Sequence, residues 1–150
     1  MGFGLWALGR RLRKNDPRRI RFITLVQSHR VGLVHARLHL RVWKQAHQLR
    51  LGIHAATKAF PADERFGLTS QVRRSSASVS SNIAESCGYS GGADSARFIQ
   101  YAVGSCCETL NHLIAAKDLG YLTAELFARF EQALEAVRRG LLRLLKRMRE

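Results

Sequence analysis

The segment Phe60 to Glu85, FPADERFGLTSQVRRSSASVSSNIAE, constrains this chain more than any other, because it fixes one helix end and then supplies an unusually polar helix. Pro61 has no N–H and biases Phe60 away from the α region, so a helix arriving from the N-terminal side stops there. Gly67 releases the chain into the next helix. At about 100° per residue, Leu68, Val72, Val79 and Ile83 fall in an apolar stripe about 60° wide. Arg73, Ala77, Ser80 and Ala84 form a small face beside it, and Gln71, Arg74, Ser75, Ser78, Asn82 and Glu85 form a polar stripe. That stripe is wider than a helix buried on one side requires, so it calls for a partner surface or water.

The rest of the chain after residue 40 is also helical in period. From Leu38 to Ala59, Val42, Ala46, Leu49, Ile53 and Ala56 recur at spacings of three and four, with Trp43 as a large anchor beside them. The second helix spans about Gly67 to Ser86, and Cys87-Gly88-Tyr89-Ser90-Gly91-Gly92 reads as a loop. Asp94 or Ser95 is expected to cap a third helix whose stripe is Ile99, Val103, Cys106, Leu110, Leu113 and Ile114. Within it, Gly104-Ser105 suits close packing against the small face of the second helix. Gly120 ends that helix as a left-handed cap, with Tyr121 and Leu122 beyond it. Thr123 and Glu125 suit the start of a fourth helix, whose apolar side is Phe127, Phe130, Leu134, Val137, Leu141, Leu144, Leu145 and Met148. No strand signal competes, so the fold class is all-α, an antiparallel up-down four-helix bundle over residues 38–150.

Residues 1–37 lack a sustained period, and Asn15, Asp16 and Pro17 mark a turn within them. They read as an appendage: a basic, disordered arm that binds nucleic acid, or a stretch translated from a start codon placed too far upstream. Charge bears on partners. The chain has 25 Lys and Arg against 11 Asp and Glu, a net +14, which favours polyanions such as RNA, DNA or an acidic membrane surface. Residues 1–40 hold nine of the cations and one of the acids, so over half of the excess lies outside the bundle.

Several chemistries are disfavoured. Cys87, Cys106 and Cys107 are an odd set without metal-ligand spacing, which suits free thiols in a reducing cytosol. The N-terminal run GFGLWALG is short, with its Arg cluster on the wrong side for a secretory signal, and no apolar run reaches the ~18 residues that span a bilayer. Gly91-Gly92 is followed by Ala93-Asp94-Ser95 where a phosphate loop has Gly-Lys-Ser/Thr. A di-iron bundle needs Glu-x-x-His pairs, whereas Glu108 and His112 are four apart and Glu85 has no following His. His35 and His39 share a helical face without a third ligand, and Cys106 and Cys107 point to different sides of one helix without an assignable base. No catalytic residue, metal or cofactor is expected.

With the helices placed, a family resemblance emerges from Val42-Trp43-Lys44-Gln45-Ala46, Phe60-Pro61, Glu64, Phe66-Gly67-Leu68, Gln71, Arg73-Arg74, Asn82-Ile83-Ala84-Glu85, Gly104-Ser105, Glu108 and Leu119-Gly120-Tyr121-Leu122. Over residues 38–148 the chain resembles the bacterial four-helix-bundle proteins encoded in intervening sequences of large-subunit ribosomal RNA genes. That family is similar to the accessory variability protein of diversity-generating retroelements. The resemblance implies a non-enzymatic protomer of a homo-oligomeric ring, commonly a pentamer, whose relatives bind nucleic acid and a reverse transcriptase through basic surfaces. Three features depart from the pattern: Ser75-Ser76 replace small apolar residues, Ser86 replaces a glycine, and residues 1–37 have no counterpart.

The expected function is therefore binding of structured RNA or DNA by a cytoplasmic, non-enzymatic oligomer. Arg138, Arg139, Arg143, Lys146 and Arg147, with Arg149 beyond them, are the main candidates, because the far end of the fourth helix holds more cations than the macrodipole requires. Arg73 and Arg74 are weaker candidates, either for phosphate or for pairing with Glu85 or Glu108. Gln71, Ser78, Asn82 and Glu85 are expected at an intersubunit or interhelix hydrogen-bond surface. The alternative function is an adaptor that engages a polymerase or reverse-transcriptase-type protein without touching nucleic acid.

Overall fold

The computed structural model describes the backbone of residues 33–89 and 92–149 and their side chains from Leu40 onward. Its element order is α1 (Leu33–Ala56), two 3-10 turns (Thr57–Ala59 and Ala62–Arg65), α2 (Leu68–Ser86), α3 (Gly92–Asp118) and α4 (Ala124–Arg149). The described residues are thus all-helical, with four α-helices and no strand. The first helix starts at Leu33, inside the stretch 1–37 that the sequence suggests is an appendage; residues 1–32 lie outside the described residues. Its far end tightens into a 3-10 turn over Thr57–Ala59, and Phe60 is extended at φ −69°, ψ 153°, as the proline after it demands.

The entry to α2 is held from outside the helix. Gly67 precedes it with no side chain to offer, and Glu64 Oε2 accepts from the N–H of Leu68 at 2.7 Å. The other Glu64 oxygen accepts a long bond from the Tyr121 hydroxyl at 3.4 Å, and Tyr121 packs its ring on Phe60 at 5.6 Å. One carboxylate therefore joins the α1–α2 connection to the α3–α4 connection.

Each helix contributes one face to a continuous core. Val42, Ala46, Leu49 and Ile53 come from α1, Val72, Val79 and Ile83 from α2, and Phe127, Phe130, Leu134, Val137, Leu141, Leu144 and Leu145 from α4. In α3 the face is rotated from the one expected: Ile114 is exposed and Val103 and Leu110 are half-buried, while Ala102, Cys106, Thr109 and Ala116 are buried beside Ile99 and Leu113. The rotation turns small residues toward α2, where Ser105 Oγ donates to Ser78 Oγ at 2.9 Å. Ser75, read above as part of the polar stripe, is buried, and it satisfies itself by donating to the Val72 carbonyl at 3.2 Å.

Close approach occurs at Gly140 rather than at Gly104. A Cβ at Gly140 would sit 2.6 Å from Val42 Cγ2, whereas Gly104 is exposed with nothing within 4 Å of such a Cβ. A Cβ at Gly52 would lie 3.2 Å from the Phe130 ring, so the start of α1 sits beside the end of α4 and its far half beside the start of α4.

The helix ends correct one expectation and meet two. The third helix opens at Gly92, with φ +81°, ahead of both expected caps. Ser95 is buried inside the helix and donates to the carbonyl of Ser86 at 2.9 Å, while Asp94 pairs with Arg97 at 3.1 Å. Gly120 closes α3 with φ +78° and a pair of bonds, Tyr121 N–H to the Ala116 carbonyl and Gly120 N–H to the Lys117 carbonyl. Thr123 Oγ1 accepts from Leu126 N–H at 3.2 Å as the cap of α4.

Candidate nucleic-acid interface

The last three turns of α4 carry buried Leu141, Leu144 and Leu145 on one side and cations on the other. The first of these cations is not free. Arg138 forks onto Glu135, Nε to Oε2 at 2.7 Å and an Nη to Oε1 at 3.0 Å, and Arg139 lies 4.0 Å from the same carboxylate. The hydrogen bond from Arg138 holds the Glu135 carboxyl below the usual range, and the same bond raises Arg138 further. Arg143 donates to the Arg139 carbonyl at 3.4 Å, and Arg143, Lys146, Arg147 and Arg149 are exposed and make no ion pair among the described residues.

These side chains project where α1 begins, since Val42 lies against Gly140. Arg41 is exposed there and Lys44 half-buried. Residues 1–32, which precede Leu33 in the chain and lie outside the described residues, hold eight further Arg and Lys against a single Asp.

The other expected site residues lie elsewhere. Arg74, Gln71 and Glu85 are exposed on α2. Ser78 and Asn82 are half-buried; Asn82 Nδ2 donates to the Ser78 carbonyl at 2.9 Å and to its hydroxyl at 3.0 Å. Part of the polar stripe is thus spent within α2 and, through the bond from Ser105 Oγ to Ser78 Oγ, between α2 and α3 of the same chain. Arg73 pairs with neither Glu85 nor Glu108: its Nε donates to Thr57 Oγ1 at 2.7 Å, while Glu108 lies 3.7 Å from His112. The structure therefore separates Arg73 from the end of α4. It also gathers Arg73 with Arg50 and His54 of α1 and Lys58 of the 3-10 turn that follows, none of them among the expected site residues apart from Arg73. The regular spacing of four among Arg50, His54 and Lys58 was the available signal.

Cys106 is buried and Cys107, the next residue of α3, is exposed, and burial pushes the Cys106 thiol up to about 12 and that of Cys87 to about 11. No group of three or more His, Cys, Asp or Glu able to hold a metal occurs among the described residues, and the side chains of His35 and His39 lie outside them. No described helix is long and apolar enough to cross a membrane.

Comparison with known proteins agrees with this architecture. No curated protein matches the chain. Among solved structures, a protein of unknown function from the S23 ribosomal protein family of Bacteroides thetaiotaomicron superposes with a TM-score of 0.67 at 19% identity. The match covers 73% of this chain and 98% of that one, and at this identity it speaks to the fold alone. The profile of the 23S rRNA-intervening sequence protein family matches residues 38–143, which span the four helices from the second turn of α1 to the basic end of α4. The chain belongs to the 23S rRNA-intervening sequence protein family.

Proposed function

We propose that this protein is a non-enzymatic helical bundle that binds structured RNA or DNA through the basic end of α4. The observation that supports it is the division within α4: Glu135 occupies Arg138 and reaches Arg139, whereas Arg143, Lys146, Arg147 and Arg149 stand exposed without an ion pair among the described residues. Such cations exchange water and counterions for phosphate with little sequence preference. In this reading the four helices are an antiparallel up-down bundle, the protomer of a cytoplasmic ring of about five copies as the resemblance implies, and the ring multiplies weak contacts through effective concentration. The likeness to the accessory variability protein of diversity-generating retroelements adds a reverse-transcriptase-type protein as a further partner.

Binding of the full-length protein to a folded RNA and to duplex DNA, followed by fluorescence anisotropy, tests this. Affinity is expected to fall by about 10³-fold or more between ~50 and ~200 mM salt if about six phosphates are contacted. Reversal of Arg143, Lys146 and Arg147 to Glu should abolish binding and leave the oligomer intact. Absence of binding at ~50 mM salt removes the nucleic-acid reading in favour of a protein adaptor, and dissociation of the oligomer by the reversal makes the patch an interface instead.

A further inference from the structure

Four basic side chains converge where α1 meets the start of α2. Arg50 and His54 lie on α1 and Lys58 in the 3-10 turn after it, each four residues from the last and all exposed. Arg73 joins them from α2. Its Nε donates to Thr57 Oγ1 at 2.7 Å, and Thr57 in turn donates to the His54 carbonyl at 3.1 Å. Thr57 is buried, so the two bonds hold the guanidinium at the edge of the stripe. None of the four makes an ion pair among the described residues.

Partial desolvation, then Arg73, Lys58 and Arg50, hold the His54 imidazole below its ordinary range. Like charges gathered in this way repel, and an anion placed among them relieves the repulsion. Only Nε of Arg73 is used by Thr57, which leaves its two terminal amino groups for a fork onto phosphate.

We propose that Arg50, His54, Lys58 and Arg73 form a second phosphate-binding patch, which grips the backbone of a nucleic-acid strand. The proposal rests on the nucleic-acid reading above and adds a separate site to it. Arg50 to Lys58 spans about 12 Å at ~1.5 Å per residue, which covers roughly three phosphates of one strand at ~3.4 Å of axis each. A single small anion would leave part of this stripe without a partner. Because Gly52 lies beside Phe130, the patch is ~20 Å along the helices from Arg143, so one folded nucleic acid engages both sites.

Phosphate beside His54 opposes the cations that depress it, so binding takes up a proton there and tightens as the pH falls. The charges facing the imidazole are Arg50 on α1, Lys58 on the turn and Arg73 on α2. Helix α4 meets α1 at its Gly52 side, through Phe130.

The test uses the full-length protein and a labelled folded RNA, with salt titrations at about pH 5.5 and 7.5, either side of the ordinary imidazole range. The double variant R50Q/K58Q should lose about two units of the log–log salt slope, at ~0.9 per contact, and bind several-fold more weakly. The single variant H54Q should remove the pH dependence contributed by this patch, with its loss of affinity greatest at about pH 5.5. By NMR, the His54 imidazole should titrate at higher pH when RNA is added, and not with inorganic phosphate at matched ionic strength. An unchanged slope and affinity in R50Q/K58Q, with binding still abolished by reversal of Arg143, Lys146 and Arg147, overturns this patch and leaves the α4 site standing. A wild type that binds no RNA removes both. A full His54 shift with inorganic phosphate alone assigns the patch to a free anion and overturns the strand assignment.

Discussion

Single residues carry more of this fold than their chemistry suggests, and Gly67 is the clearest case. A Cβ there would sit 2.5 Å from Glu64 Oε2, the atom that accepts the Leu68 N–H. The carboxylate end is flexible, but it cannot move aside and keep its bond. Gly67→Ala is therefore expected to lose the external cap of α2, about 1 kcal/mol in urea unfolding. Glu64→Ala should cost a similar amount, and the double variant little more than either, because both remove one interaction. The thiols give a second residue-scale outcome. Burial holds Cys87 and Cys106 at about 11 and about 12, while Cys107 is exposed. A thiol reagent at neutral pH should label Cys107 rapidly in the native protein, with Cys87 and Cys106 following only on unfolding. Equal rates for all of them would contradict the burial described.

At the scale of helices, the contact between α1 and α4 depends on Gly140. Replacing it with Ala improves helix propensity by about 1 kcal/mol, but the new methyl meets Val42, itself buried. Overpacking of about 1–3 kcal/mol should win, giving a net loss of stability and a lower Tm for G140A. V42A/G140A should then be more stable than the sum of the single changes predicts, because the smaller side chain makes room for the methyl. A neutral G140A with no coupling to V42A would show that the helices adjust freely. The serines of α2 belong to this scale too. Ser75, Ser76, Ser80 and Ser86 each donate to a carbonyl three residues back, so a polar composition is compatible with a buried face. The 3.6-residue period revealed which positions share a face, but not that these hydroxyls would satisfy themselves. The sequence therefore places Ser75 in the polar stripe that calls for a partner surface or water, while packing buries it.

Over the whole molecule, charge and core are arranged separately. The main buried core is drawn from Val42 onward, with Leu40 packed on Cys87 as the first described side chain, while residues 1–32 carry eight of the chain's 25 cations. Removing residues 1–32 should leave helicity and Tm nearly unchanged and lower the salt slope of RNA binding; a large drop in Tm would show that the segment is part of the fold. The candidate site is legible in the sequence to an uneven degree. Arg143, Lys146 and Arg147 stand out because they lie on one helix at spacings of three and four. The group around Arg73 does not, since it joins residues sixteen apart through Thr57, and no local period reports such a contact. Arg138 is a different case: its partner Glu135 lies one turn earlier on the same helix, a spacing that is local in the sequence.

The sequence by itself determined the all-α class, the stop at Phe60-Pro61, the left-handed close at Gly120, the Thr123 cap and most of the apolar faces. Those features follow from backbone restrictions and from a period of 3.6 residues, which act within one or two turns. The tertiary structure decided the rotation of α3 toward its small residues, the close contact at Gly140, the role of Ser95 inside a helix and the partner of Arg73. Each of these depends on which side chain of a distant helix fills the facing space, and close packing between helices selects among faces that the local pattern leaves equivalent.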